Sequence, residues 1–196
     1  MKIAIIKYNA GNVRSVEIAL ERLGISSILT DDAAEILSSD KIIFPGVGEA
    51  SSAMRYLRER KLDQIIMSAK QPFLGICLGM QLMCQYSEEN STTCLGIFPE
   101  QVRKFNADLI HLKIPQIGWN NIFELKSPLF KNIAENSYCY FVHGYYASLG
   151  EHTIAHADYG MQYSAALNHA NFYGVQFHPE KSAEVGSTII QNFLDL

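Results

Sequence analysis

Three short stretches carry residue types that could do chemistry together. In residues 73–81 (FLGICLGMQ), Cys77 stands between Gly75 and Gly79 where an apolar run ends. Sulfur attacks as the thiolate, and a strand-to-helix turn thrusts a nucleophile into the open while flanking glycines relieve crowding of the backbone. The positive end of a helix beginning near Leu78 would favour a thiolate there. Taken alone, Cys77 reads more readily as a buried small hydrophobe, which is where most free cysteines end up. In residues 175–182 (VQFHPEKS), His178 and Glu180 stand two apart. In extended chain they share a face, so the carboxylate can set the imidazole tautomer while the second ring nitrogen serves the thiol. The bland alternative is a solvated charge cluster at a strand exit. Residues 45–48 (PGVG) are a glycine-rich turn whose Val47 and Gly48 N–H groups, with that of Leu78, can stabilise an oxyanion. The turn lacks the Lys-Ser/Thr ending of a phosphate loop, and a plain βα turn is the competing reading. Gln81, one helical turn past Cys77, falls on the face of the sulfur.

These residues need a scaffold, and the first half of the chain predicts one. Residues 2–7 read as a buried parallel strand and are followed by a helix from Val13 to Leu23, with Asn12 able to cap it and Gly24 to end it. Further strands are expected at 25–30, 41–44 and 72–76, with helices at 53–62 and 78–86, an alternation that argues for an α/β fold. Beyond residue 95 the helical signal thins to strand-like pieces at 101–105, 138–142, 152–157 and 172–177, before a last helix at 182–194. The second half is therefore expected to be β-rich. Trp119, the single tryptophan, reads as sitting in a polar loop, where an aromatic side chain could anchor a partner.

Composition narrows the function classes. A chain of 196 residues, 48% hydrophobic and 18% charged, has the make-up of one globular domain spanning 1–196. Its net charge of −4 lacks the basic footprint of a nucleic-acid binder. No apolar run approaches the roughly 20 residues needed to cross a bilayer, and the opening residues, broken by Lys7, are too short for a signal peptide. A cytoplasmic protein without membrane contact is expected. Cys77, Cys84, Cys94 and Cys139 form no C-x-x-C pair and read as free thiols. His152 and His156 stand four apart, but in a strand-like stretch, so no metal is expected.

Together PGVG, GICLGMQ and GVQFHPEKS, in this order and at these separations, resemble the triad-type (class I) glutamine amidotransferases. The resemblance spans nearly the whole chain and implies a flavodoxin-like, mostly parallel central sheet flanked by helices. It implies glutamine hydrolysis through a γ-glutamyl thioester on Cys77, with His178 moving the proton, Glu180 orienting it, and no cofactor. It also implies that Gly46, Gly48, Gln81, His143, Gly144 and Tyr145 bind L-glutamine. The segments GNVRSV, PQIGWN and YFVHGYY are similar to those of glutaminase subunits serving histidine biosynthesis. In that group ammonia passes to a (β/α)8-barrel synthase subunit, in a heterodimer that makes imidazole glycerol phosphate and AICAR. Asn12, Trp119, Tyr140 and Lys181 match positions that face the synthase. Lys7, Gln116-Ile117 and Gly144 depart from the usual residues of the group, the first two toward the expected partner surface. A paralogous subunit feeding a sugar-modifying synthase, a stand-alone cysteine hydrolase and a binding module with a structural Cys77 are the competing readings.

Overall fold

A computed structural model describes residues 1–8 and 11–196. Short buried runs of Ile, Ala, Leu and Phe make the strands of the first half: β1 (Ile3–Ile6), β2 (Ser27–Thr30), β3 (Lys41–Phe44) and β4 (Phe73–Ile76). The helices between and after them are α1 (Val13–Arg22), α2 (Ala33–Leu37), α3 (Ala50–Glu59), α4 (Leu62–Ser68) and α5 (Leu78–Met83). Gly24, at φ 75°, ends α1 as expected: its N–H reaches Glu21 O while Ile25 N–H reaches Leu20 O, closing the last carbonyls.

Three local expectations fail for identifiable reasons. Asn12 does not cap α1, because its φ of 72° turns the side chain away from the helix. The helix expected at 53–62 starts earlier, since the Glu49 carboxylate accepts the N–H groups of Ser51 and Ser52 at 2.8 and 2.9 Å, and it breaks at Lys61, where φ is 56°. The helix expected to reach residue 86 stops at Met83, because Tyr86 and Ser87 pair with Gln101 and Val102 in the sheet.

The second half adds β5 (Tyr86–Ser87), β6 (Thr92–Thr93), β7 (Gln101–Lys104), α6 (Ala107–Ile110), β8 (Gln116–Ile122), β9 (Ser137–His143), β10 (Tyr145–Ala147), β11 (Thr153–Asp158), β12 (Gln162–His169), β13 (Phe172–Val175) and α7 (Ala183–Asp195). Strands β2-β1-β3-β4-β13 run parallel in that order, the doubly wound flavodoxin-like arrangement. Antiparallel β12, β10 and β7 extend the same sheet, and β8 and β9 form a separate two-stranded ribbon. Trp119 thus lies in a strand, not in a polar loop. The glycine and asparagines around it have poor strand propensity, and the pairing of Trp119 with Tyr140 across the ribbon overrides it.

Side chains alternate across the parallel sheet and divide the core in two. Ile5, Ile43 and Leu74 pack with α1 and α7, whereas Ile6, Phe44 and Phe73 pack with α3, α4 and α5. Ligands of open α/β sheets sit beyond the carboxyl ends of the strands, and the three motifs all lie there, after β3, β4 and β13.

Candidate active site

Cys77 joins β4 to α5 and is pinned from both sides. Its N–H extends the sheet ladder to Val175 O at 2.8 Å, and its carbonyl accepts the first helical bond from Gln81 N–H at 3.1 Å. Between these ties it adopts φ 53° and ψ −108°, a conformation that L residues avoid and that persists only where surroundings over-determine it. This is nucleophile-elbow geometry. The glycines serve packing: a Cβ on Gly79 would lie 1.9 Å from Phe44 O, and one on Gly75 2.8 Å from Met80 N. Backbone of α5 therefore rests directly on β3 and β4.

Behind the sulfur stands His178. Its Nδ1–H donates to Glu180 Oε1 at 2.8 Å, and both side chains are buried. The juxtaposition arises from a 3₁₀ turn at Pro179–Lys181, since the strand ends at Val175. Strand alternation, the expected cause, does not reach this far. Asn12 Nδ2 donates to the same Glu180 oxygen and lies 3.5 Å from His178 Nδ1. Burial works against an imidazolium at His178, but the charge and hydrogen bonding of the Cys77 sulfur and the Glu180 carboxylate outweigh it, so its pKa rises.

A cleft of about 280 Å³ opens in front of the sulfur, lined in part by Val47, Gly48, Leu78 and Gln81 on one side and Val142 to Tyr145 on the other. It brings together most of the substrate-binding residues expected from sequence. Gly46 does not line it, because it is buried against the Tyr8 hydroxyl, which donates to Pro45 O at 2.7 Å, and against Leu78 and Gly79. The Leu78 N–H points to Gly46 O at 3.3 Å, so this donor does not face the cleft. Gly144 has room for a Cβ, whose nearest neighbours would be Ile114 and Pro115 at 3.7 and 3.8 Å.

His143 shares the cleft with the opposite electrostatics. Burial pushes its pKa down to about 4, a hydrogen bond to the Tyr145 carbonyl opposing and the charge of His178 reinforcing the shift. The ring is therefore neutral, its Nδ1–H donating to Tyr145 O at 2.7 Å. Gln116, expected toward the partner surface, is instead buried and accepts from the Tyr163 hydroxyl at 2.9 Å, while Ile117 beside it is exposed.

Two residues of the site were missed by motif reading. Gln176 is fully buried, with Nε2 3.6 Å from the Cys77 sulfur. It stands two residues before His178, and the two-residue step used for His178 and Glu180 could have found it. Glu89 is the one carboxylate lining the cleft among the described residues; it accepts the Ala50 N–H at 2.7 Å. It lies in a polar stretch (87–93) with no periodicity to single it out. Among the described residues no cluster of three or more His, Cys, Asp or Glu is disposed to hold a metal, and no helix is long and apolar enough to cross a membrane.

Comparison with known proteins agrees with this geometry. The family described as "Glutamine amidotransferase class-I" matches residues 5–196. Over 196 residues and the whole of both chains, the sequence is 53% identical to the imidazole glycerol phosphate synthase subunit HisH of Bacteroides fragilis and 48% identical to that of Bacteroides thetaiotaomicron. It is 44% identical to HisH of Haemophilus influenzae, covering 100% of this chain and 98% of that one. Among solved structures it superposes on PurLQS from Thermotoga maritima with a TM-score of 0.74 at 18% identity, covering 99% and 97% of the two chains. A glutamine amidotransferase from Thermotoga maritima gives a TM-score of 0.65 at 18% identity, covering 99% and 82%. With its elbow cysteine, its buried His–Glu pair and a family match running through its last residue, the chain belongs to the class I glutamine amidotransferases.

Proposed function

We propose that the chain is the glutaminase subunit of an imidazole glycerol phosphate synthase, hydrolysing L-glutamine and passing the ammonia to a separate (β/α)8-barrel synthase subunit in histidine biosynthesis. The observation that carries this reading is the Cys77 sulfur, placed between a small cleft and a buried His178–Glu180 pair, in a chain that matches HisH end to end.

In this reading the glutamine carboxamide enters the cleft and the Cys77 sulfur attacks its carbon, pushing the carbonyl electron pair onto oxygen. His178 then gives its proton to the departing nitrogen, and the C–N bond breaks to release ammonia and leave a γ-glutamyl thioester. Water, deprotonated by His178, attacks the thioester carbon; the C–S bond breaks and glutamate leaves. Glu180 holds the Nδ1 proton throughout. Glu89 and the Gln81 amide oxygen are suited to the substrate ammonium, and the backbone of His143, Gly144 and Tyr145 to its carboxylate. Val47 and Gly48 are the candidate oxyanion donors. Leu78 can join them once Gly46 O turns away from its N–H, a movement assigned to partner binding.

The partner surface is assigned to Asn12, Trp119, Tyr140 and Lys181. Trp119 and Lys181 are exposed, and Trp119 stacks edge-on against Tyr140 with ring centroids 5.9 Å apart. The buried free cysteines suit a reducing cytoplasm.

The test reconstitutes the subunit with its synthase partner. Cys77→Ala or His178→Ala should abolish the glutamine-dependent reaction while added ammonia still supports synthesis; glutamine-dependent turnover retained by Cys77→Ala overturns the assignment.

A further inference from the structure

Gln176 is a fully buried carboxamide, and the reaction outlined above gives it no role. The direction in which its amide points follows from its neighbours. Gln81 Nε2 lies 2.9 Å from Tyr145 O, and a backbone carbonyl can only accept, so the nitrogen of Gln81 is the group that faces it. The second N–H of that nitrogen reaches Gln176 at 2.9 Å, and only the oxygen of Gln176 can receive it. The Gln176 nitrogen is thereby turned to the Cys77 sulfur, 3.6 Å away. On its other side the sulfur meets Val142 O at 3.7 Å, which accepts from a thiol and repels a thiolate. Of these two neighbours only Gln176 offers a hydrogen to sulfur in its anionic state, and it does so beside the titratable groups that face the same sulfur, the His178 imidazole and the Tyr8 hydroxyl.

We infer that Gln176 is a positioning residue for the nucleophile: its carboxamide N–H, held in place through Gln81 by the Tyr145 carbonyl, stabilises the Cys77 thiolate and fixes the direction of its lone pairs toward the cleft. The inference rests on Cys77 being the nucleophile. It also explains why Gln81 presents only its oxygen to the cleft, since both N–H groups of its amide are engaged behind it.

A buried donor to a charged acceptor is worth enough to move a titration by about one pH unit or more. The readout is the pH dependence of Cys77 alkylation by iodoacetamide in the isolated subunit, followed by peptide mass spectrometry. Gln176→Met removes the donor at similar volume, and Gln176→Glu replaces it with a carboxylate. Both should move the alkylation midpoint upward, Glu further than Met, so that at a pH below the midpoint alkylation slows about ten-fold or more. A purely structural role predicts lower thermal stability with an unmoved midpoint, and that result overturns the inference. Should either variant fail to fold, the wild type still decides. The Gln176 side-chain ¹⁵N–H resonances should titrate together with the Cys77 thiolate and lose that step in Cys77→Ala; resonances indifferent to the thiolate overturn the inference. Failure of the nucleophile assignment reads differently, as glutamine turnover surviving in Cys77→Ala.

Discussion

His178 and His143 are both buried near one sulfur, yet their proton affinities move apart. Burial alone lowers an imidazole, as it does for His143; His178 escapes because the Cys77 sulfur and the Glu180 carboxylate face it. A raised imidazole stabilises the fold fully below its ordinary value of 6.5, and this contribution fades as pH climbs toward the folded value of about 10. The sulfur supplies much of the rise. In Cys77→Ala the His178 titration, read from imidazole NMR shifts, should therefore fall toward the ordinary range; an unchanged midpoint would mean that Glu180 alone sets it. Asn12 acts on the other end of the pair, through the Glu180 oxygen that also receives the His178 proton. Asn12→Gly keeps the left-handed backbone and removes only the donor, so kcat should drop by about ten- to a hundred-fold with little change in KM. A KM effect without a kcat effect would place Asn12 in substrate binding instead.

At the scale of elements, α3 and the β8–β9 ribbon hold the two sides of the cleft. The Glu49 cap sets where α3 begins, directly after the Gly48 turn. Burial opposes its charge, and hydrogen bonds from Ser51, Ser52 and Asn90 outweigh that opposition and hold its carboxyl at about 2. A lowered carboxyl stabilises above its ordinary value of 4.5, and the contribution is lost as pH falls through about 2. Glu49→Ala should cost about 1 kcal/mol at neutral pH, a gap from wild type that closes in acid when urea unfolding is followed against pH. The ribbon is tied to His178 through backbone. Tyr140 O accepts the His178 N–H at 2.9 Å, and Ser182 Oγ accepts from Tyr140 N–H and donates to His178 O at 2.9 and 2.7 Å. A force on the ribbon is thereby passed to the backbone of His178.

Across the whole molecule, the ribbon has one face in the core and one outside. Gln116, Ile122, Cys139, Phe141 and His143 point inward, while Ile117, Trp119 and Tyr138 stay 60%, 53% and 61% exposed. The outward face ends at Val142, whose carbonyl touches the Cys77 sulfur. An apolar aromatic surface running up to the proposed nucleophile is what an ammonia-accepting partner would cover. Trp119→Ala should weaken association with the synthase by about thirty-fold or more, as loss of a central anchor does, and leave Cys77 alkylation unchanged. Calorimetric titration of the two subunits checks it, and an unaltered Kd would move the interface elsewhere.

The parallel half of the sheet is legible along the chain, as are Cys77, His178 and Glu180 as candidates, because strand and helix periods and turn glycines are local properties carried by neighbouring residues. So is a β-rich second half, but not that Trp119 belongs to a strand, since that strand exists through its partner rather than through its own propensity. Folding alone brings Asn12 to Glu180, 168 residues away, and Gln176 to Cys77, 99 residues away. The same holds for the Leu78 N–H, turned onto Gly46 O. Such contacts are set by which strands become neighbours in the β2-β1-β3-β4-β13 order, and no periodicity along the chain records which distant side chain a strand end will meet.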